Sequence, residues 1–233
     1  MREAGELPRS VFDGAARDGE AHRLSAIGKR MVDLLLGVSA VLLLVPALLA
    51  IALVVRLTSS GPVFFRQERV GRDRRPFVMW KFRTMRHDND DGVHRTFVAG
   101  LRNDVPSDHV DDRAIYKLTH DPRVTPVGRW LRRTSLDELP QLINVVRGSM
   151  SLVGPRPALP WEIELFEDLP RYVDRFRVKP GITGLWQVSG RGTLTIRQAV
   201  ALDGRYVDSR SFALDVQILM RTIPAVLNGR GAF

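Results

Sequence analysis

The residues best suited to chemistry in this chain lie between Arg129 and Arg191. The densest group is the run Leu131-Arg132-Arg133-Thr134-Ser135-Leu136-Asp137-Glu138-Leu139-Pro140-Gln141. Two adjacent carboxylates, Asp137 and Glu138, follow two arginines. The spacing predicts a helix from about Asp137 to Arg147, closed by Gly148, with Asp137 as N-cap and Pro140 in the first turn. Leu139, Leu142, Ile143 and Val146 form its apolar stripe. Both carboxylates would then sit at the positive end of the helix dipole, ionised, where a divalent cation or phosphate groups are drawn to the same spot. An ionised carboxylate can attack phosphorus. It is equally an ordinary helix cap, and the pattern alone admits both readings.

Two arginines downstream suit the same chemistry. Arg156 stands between Pro155 and Pro157 after the short apolar strand Ser151-Leu152-Val153, so its guanidinium is presented on a stiff backbone, either to a phosphate or to a structural ion pair. The stretch Val178 to Arg191 combines a Pro-Gly turn, a short strand and a glycine loop bearing Arg191. Trp186 reads as core. Phe212 to Leu227 is amphipathic at helical spacing and interrupted by Pro224; packing on the core is expected, with the membrane surface as the alternative.

These residues must be positioned by a chain whose sharpest feature is hydrophobic. From Leu34 to Val55 run 22 residues without a charge. As a helix this run is about 33 Å long, enough to cross a hydrocarbon core of about 30 Å. Lys29 and Arg30 precede it, and Arg56, Arg66, Arg69, Arg72, Arg74 and Arg75 follow it, so the positive-inside rule asks for both ends on the cytoplasmic side. Pro46 sits mid-run, where it removes a backbone hydrogen bond. A re-entrant hairpin bent at Pro46 meets both conditions; a kinked spanning helix of weakly decided orientation is the alternative, and the residues alone leave both open. Residues 1–28 read as a mobile N-terminal tail.

After Gly61-Pro62, Val63-Phe64-Phe65 and Phe77-Val78-Met79-Trp80 predict a hairpin around Val70-Gly71-Arg72-Asp73. Between Gly61 and Arg86 eight basic residues oppose two acidic ones, a balance of +6. Such a block faces lipid headgroups or substrate phosphates. Residues 87–120 read as a solvated acidic loop. An EF-hand fails there, because Gly92 at the sixth position puts His87 first and Val98 twelfth. Asp88-Asn89-Asp90 matches the Asp-x-Asp of some metal-dependent nucleotide-sugar enzymes.

Composition removes other classes. The chain has 233 residues, a formal charge of +9 and no cysteine, which excludes disulfide scaffolds, thiolate metal sites and cysteine nucleophiles. No Gly-x-x-x-x-Gly-Lys-Ser/Thr occurs, and Gly190-Arg191-Gly192 lacks the third glycine of a dinucleotide loop.

Five motifs in series resemble the bacterial sugar transferases, the monotopic polyprenyl-phosphate phosphoglycosyl transferases. They are Lys29-Arg30-x-x-Asp33 before the Pro-broken run, Lys81-Phe82-Arg83-Thr84-Met85, Leu131 to Gln141, Ser151 to Pro157, and Lys179-Pro180-Gly181-Ile182-Thr183-Gly184. The resemblance implies a ping-pong transfer of sugar 1-phosphate from a nucleoside diphosphate sugar, a UDP-sugar by preference, to polyprenyl (undecaprenyl) phosphate with release of UMP. This is the first membrane step of exopolysaccharide or other glycoconjugate synthesis. Asp137 would form the covalent adduct and Glu138 would hold Mg²⁺, while Lys81, Arg83, Arg132, Arg156, Gln187 and Arg191 would bind substrate. No long βαβ alternation is visible, so an α+β architecture is expected. With the tail 1–28 the chain then has three parts, the others being, as the resemblance implies, a re-entrant membrane helix 29–60 bent at Pro46 and a mostly helical cytosolic catalytic domain 61–233 with a small sheet or hairpin. The implied location is the cytoplasmic face of the bacterial inner membrane, with lipids and no nucleic acid as partners. Val45, Ser149 and Arg205 depart from the family's usual Ser, acidic residue and Tyr.

Two other readings make different predictions. A membrane-anchored basic scaffold binding anionic lipid or nucleic acid would depend on charge and not on Asp137. A metal-dependent glycosyltransferase using Asp88 and Asp90 would release nucleoside diphosphate.

Overall fold

The computed structural model describes residues 10–86, 123–190 and 194–227. The pair Asp88 and Asp90, and Arg191, lie outside the described residues. Helix α1 (Ser10–Thr58) runs for 49 residues and continues through Pro46. It starts inside the stretch read as a tail, so residue 28 is not a boundary of secondary structure. Ala15, Ala16, Ala21 and Arg23 are strong helix formers, and extending an existing helix needs no apolar stripe.

The expected hairpin is present. Strand β1 (Phe64–Val70) pairs antiparallel with β2 (Pro76–Phe82), Phe64 opposite Phe82 and Val70 opposite Pro76. Both strands are longer than the apolar pattern suggests, because ladder pairing carries the polar run Arg66 to Arg69 with it. Then come α2 (Pro126–Thr134), α3 (Gln141–Arg147), β3 (Ser151–Val153), α4 (Pro160–Phe166), β4 (Gly181–Thr183), α5 (Leu185–Gly190), α6 (Ile196–Ser209) and α7 (Phe212–Leu227). Thr125 caps α2 by accepting the Gly128 N–H at 2.9 Å. Thr195 and Gln198 close a capping box on α6. Strands β3 and β4 pair in parallel, Ser151 with Gly181 and Val153 with Thr183. The expected α+β mixture of short helices and small sheets is thus what the chain forms.

One core cluster joins Val70 and Ala158 to Phe166, Tyr172, Phe176, Ile196 and Val200. Another packs Val153, Val178, Tyr206 and Val207 around Ile218, so α7 packs on the core as expected. Its other face stays exposed at Phe212, Val216, Met220 and Ile223.

Helix α1 is largely exposed through its apolar run, at Leu35, Leu42, Leu43, Leu49 and Leu53 among others. It touches the domain just before this stretch and again within its last turns. On the N-terminal side, Lys29 Nζ pairs with Asp215 Oδ2 at 2.5 Å. Arg30 donates to the carbonyls of Val145 and Val146 at 2.6 and 2.8 Å, and Asp33 accepts the Leu152 N–H at 3.1 Å. On the C-terminal side, Ile51 and Val55 pack against Phe82 and Leu131. Tyr206 secures the first contact: its phenol donates to Asp215 Oδ1 at 2.8 Å, with the Val153 carbonyl at 3.1 Å. Burial and the neighbouring Asp215 push the phenol pKa up, so it stays a donor. Tyr206→Phe is expected to cost about 1–2 kcal/mol in denaturant unfolding, since it leaves a buried carboxylate oxygen short of its donor.

Candidate active site

The carboxylate dyad does not cap a helix. Helix α2 ends at Thr134, Ser135 takes a left-handed conformation (φ 57°), and Leu136–Glu138 form a 3₁₀ turn before Leu139, Pro140 and α3. The expected helix from Asp137 is corrected to one from Gln141. The winding begins at Leu136, one residue before the expected cap, and with Leu136 in the turn an α continuation would drive its carbonyl into the Pro140 ring. The chain instead winds through i to i+3 bonds, with Leu139 N–H on the Leu136 carbonyl at 3.3 Å and Ile143 N–H on the Pro140 carbonyl at 3.0 Å.

This turn faces β2. Glu138 Oε1 and Lys81 Nζ form an ion pair at 2.9 Å. Both line a cavity of about 380 Å³, an ordinary size for a small-molecule site. Arg156 and Pro157 follow from the loop after β3, Trp186 and Gln187 from α5, and Leu219, Thr222, Ala225 and Val226 from α7. Asp137, 8% exposed, is held between two lining residues, Leu136 and Glu138, without itself lining the wall. Of the residues singled out by sequence, Lys81, Glu138, Arg156 and Gln187 converge on this cavity. Gln187 Oε1 is buried with no hydrogen-bond partner among the described residues.

Arg83 and Arg132 are not brought there. The Arg83 guanidinium is buried and donates to Pro62 O, Ser59 O and Ser59 Oγ, clamping the end of α1 to β2. Burial, with Arg56 nearby, lowers its pKa. Arg132 Nε donates to Thr84 Oγ1 at 2.9 Å.

Arg69 is on the wall instead. It is 4% exposed and donates to Pro157 O at 3.0 Å and to Gln67 Oε1 at 2.7 Å, holding the loop that carries Arg156. Val70 N–H on Ala158 O at 2.9 Å fixes the same loop.

Behind Arg156 lies a second polar group. Asp203 is fully buried and paired with Arg175 at 2.6 Å. Burial raises its pKa from 3.8 to about 6, against the opposing pull of Arg175 and Arg156. The folded state therefore binds this proton more tightly than the unfolded chain. The resulting stabilisation is fully present below the unfolded value of 3.8 and is lost as pH rises through about 6. A ¹³C-carboxyl titration is expected to show the Asp203 midpoint near 6, and Asp203→Asn should flatten the stability slope across this window.

For a divalent cation the protein offers little on its own. Among the described residues no group of three or more His, Cys, Asp or Glu converges. Two adjacent carboxylates beside a cavity that carries Lys81, Arg69 and Arg156 do fit Mg²⁺, which takes one or two protein carboxylates and completes its shell from water and substrate phosphates.

Comparisons with known proteins give the family. The model of the bacterial sugar transferase family matches residues 24–229. The exopolysaccharide production protein ExoY of Rhizobium meliloti is 39% identical over 233 residues, covering all of both chains. The UDP-glucose:undecaprenyl-phosphate glucose-1-phosphate transferase of Caulobacter vibrioides is 38% identical over 239 residues, covering all of this chain and 77% of its own. The undecaprenyl-phosphate glucose phosphotransferase of Komagataeibacter xylinus is 42% identical over 214 residues, covering 88% of this chain and 37% of its own. Fold and site define a class of protein with one long apolar helix, a candidate membrane anchor, on an α+β domain that carries a charged cavity. The chain belongs to the bacterial sugar transferase family.

Proposed function

We propose that this protein transfers sugar 1-phosphate from a UDP-sugar to undecaprenyl phosphate in two displacements at one phosphorus, as a membrane step of exopolysaccharide synthesis. An Asp137 carboxylate oxygen attacks the β-phosphorus. The bond from that phosphorus to the bridging oxygen breaks, and UMP departs with the electron pair. A phosphate oxygen of the lipid then attacks the same phosphorus and expels the Asp137 carboxylate, giving undecaprenyl diphosphate sugar. Lys81 and Arg156 orient phosphates and stabilise charge as it shifts to the leaving oxygen, and Arg69 holds the Arg156 loop. Glu138 would hold Mg²⁺ against the diphosphate, where the cation supplies further neutralisation of charge. The observation that carries this reading is the convergence of Lys81, Glu138, Arg156 and Gln187 on one cavity with Asp137 beside them.

A re-entrant α1 belongs to the same proposal. Contacts just before the apolar run and in its last turns rest on the same domain, and both flanks are basic. A single crossing would put those ends on opposite faces, about 30 Å apart. The catalytic domain then faces the cytoplasm at the inner membrane, its cavity within reach of a lipid phosphate.

The test incubates detergent-solubilised protein with Mg²⁺, undecaprenyl phosphate and a panel of UDP-sugars, following UMP and UDP separately. UMP release with one sugar is the expected result. UDP release would overturn the reading in favour of a conventional glycosyltransferase, and no nucleotide release across the panel would favour a basic scaffold.

A further inference from the structure

The cavity has two kinds of lining. Lys81, Glu138, Arg156 and Arg69 offer charge, whereas Leu152, Ile182 and Val188, with Leu219, Ala225 and Val226 of α7, offer an apolar wall. Helix α7 continues this apolar surface outward. At about 100° per residue, Leu219 and Val226 lie next to the stripe of Phe212, Val216, Met220 and Ile223 around the helix, while the polar Gln217 and Arg221 project on the far side. That stripe is exposed, with Met220 at 64% and Ile223 at 57%. An apolar path therefore runs around α7 from an open face to Leu219 and Val226 on the cavity with no polar residue interposed, and Ala225 lines the cavity on the other side of Thr222.

The helix is fixed in place by two anchors on its inward side, Asp215 in the first turn and Thr222 two turns on. Asp215, in its first turn, pairs with Lys29 at the foot of the apolar run of α1. Thr222 meets the Thr183 hydroxyl at 2.8 Å, which holds the cavity-facing half of α7 against β4.

We propose that α7 is the acceptor's guide. The first isoprene units of the polyprenyl phosphate lie against Leu219, Ala225 and Val226, the phosphate reaches the Lys81 and Arg156 side of the cavity, and the rest of the chain leaves along Met220 and Ile223 into the bilayer. This rests on the two-displacement reading above. The occupant follows from charge and continuity. Its anionic head matches the cations of the cavity, and its tail matches an apolar surface anchored beside the apolar part of α1. A nucleoside would use the wall without any need for the exposed stripe.

The test compares undecaprenyl phosphate with geranyl phosphate, which has two isoprene units, as acceptors in the same detergent. The ratio of their kcat/KM values reports the chain subsite. Wild type is expected to prefer the long chain by at least about tenfold. Ala225→Trp, which fills the wall, and Leu219→Gln, which makes it polar, should each reduce that preference at least about fivefold; Ala225→Leu serves if the tryptophan variant does not fold. Gln217→Ala, on the polar side of α7, should leave the ratio as it is.

The proposal is overturned if the wall variants lower both acceptors equally. It is also overturned if they raise the KM for UDP-sugar while the chain preference stays, which would assign the wall to the nucleoside. Failure of the underlying reading shows separately, as absence of UMP release by wild type.

Discussion

Asp137→Asn is expected to lower UMP release by at least about 10³-fold while the protein stays folded. Removing a covalent nucleophile removes the pathway itself, whereas removing a charge from its surroundings only raises a barrier. The substitution is nearly isosteric, and Asp137 sits in a tight 3₁₀ turn at 8% exposure, so little else has to move. The change in thermal midpoint should stay within a few degrees. Glu138→Gln provides the contrast. It breaks the 2.9 Å pair with Lys81 and removes the proposed cation ligand, and it should slow turnover by about 10- to 100-fold and raise the Mg²⁺ concentration required. The decisive measurement is intact-protein mass after incubation with UDP-sugar and no acceptor. Wild type and Glu138→Gln should gain one sugar phosphate, and Asp137→Asn should gain nothing. An adduct on Asp137→Asn that vanishes in Glu138→Gln would exchange the two roles.

How much of this was legible in the sequence depends on whether local pattern or tertiary contact decides the matter. The amphipathic period of Phe212 to Leu227 gave the bounds of α7, because one apolar face and a preceding turn suffice for that. The hairpin was legible from its two apolar ends and the glycine between them. The dyad's turn was not, since Asp-Glu-Leu-Pro also fits a capped helix and only the winding through Leu136 and Pro140 distinguishes the two.

The basic block was harder still. Arg69 and Arg83 read alike in sequence, yet one lines the cavity and the other is consumed by the Pro62 and Ser59 oxygens. No apolar alternation in β1 tells which of its arginines turns inward. The docking of α1 at both ends of its apolar run is a long-range fact, carried by pairs such as Lys29 with Asp215 that lie 186 residues apart.

Gly181→Ala is expected to cost about 3 kcal/mol or more and to remove activity with it. A β-carbon there would stand 2.1 Å from Gly154 N and 2.4 Å from Thr183 O, and both are backbone atoms that no rotamer change can withdraw. Strands β3 and β4 would have to separate. That strains three bonds: Gly154 N–H to Thr183 O at 2.9 Å, Gly181 N–H to Pro155 O at 2.9 Å, and Ser151 N–H to Pro180 O at 2.8 Å. Each contributes a net of about 1 kcal/mol. The loop Pro155-Arg156-Pro157 hangs from the same contact, so Arg156 is displaced even in the molecules that stay folded.

Gly28→Ala is the matched control, because nothing lies within 4 Å of its β-carbon position in α1. There alanine should be neutral or stabilising by up to about 1 kcal/mol, through lower backbone entropy in the unfolded chain. Denaturant unfolding of the two variants, with UMP release measured alongside, separates close backbone packing from generic helix effects. Equal stability of the two would mean that β3 and β4 do not approach each other closely, and Arg156 would then need another support.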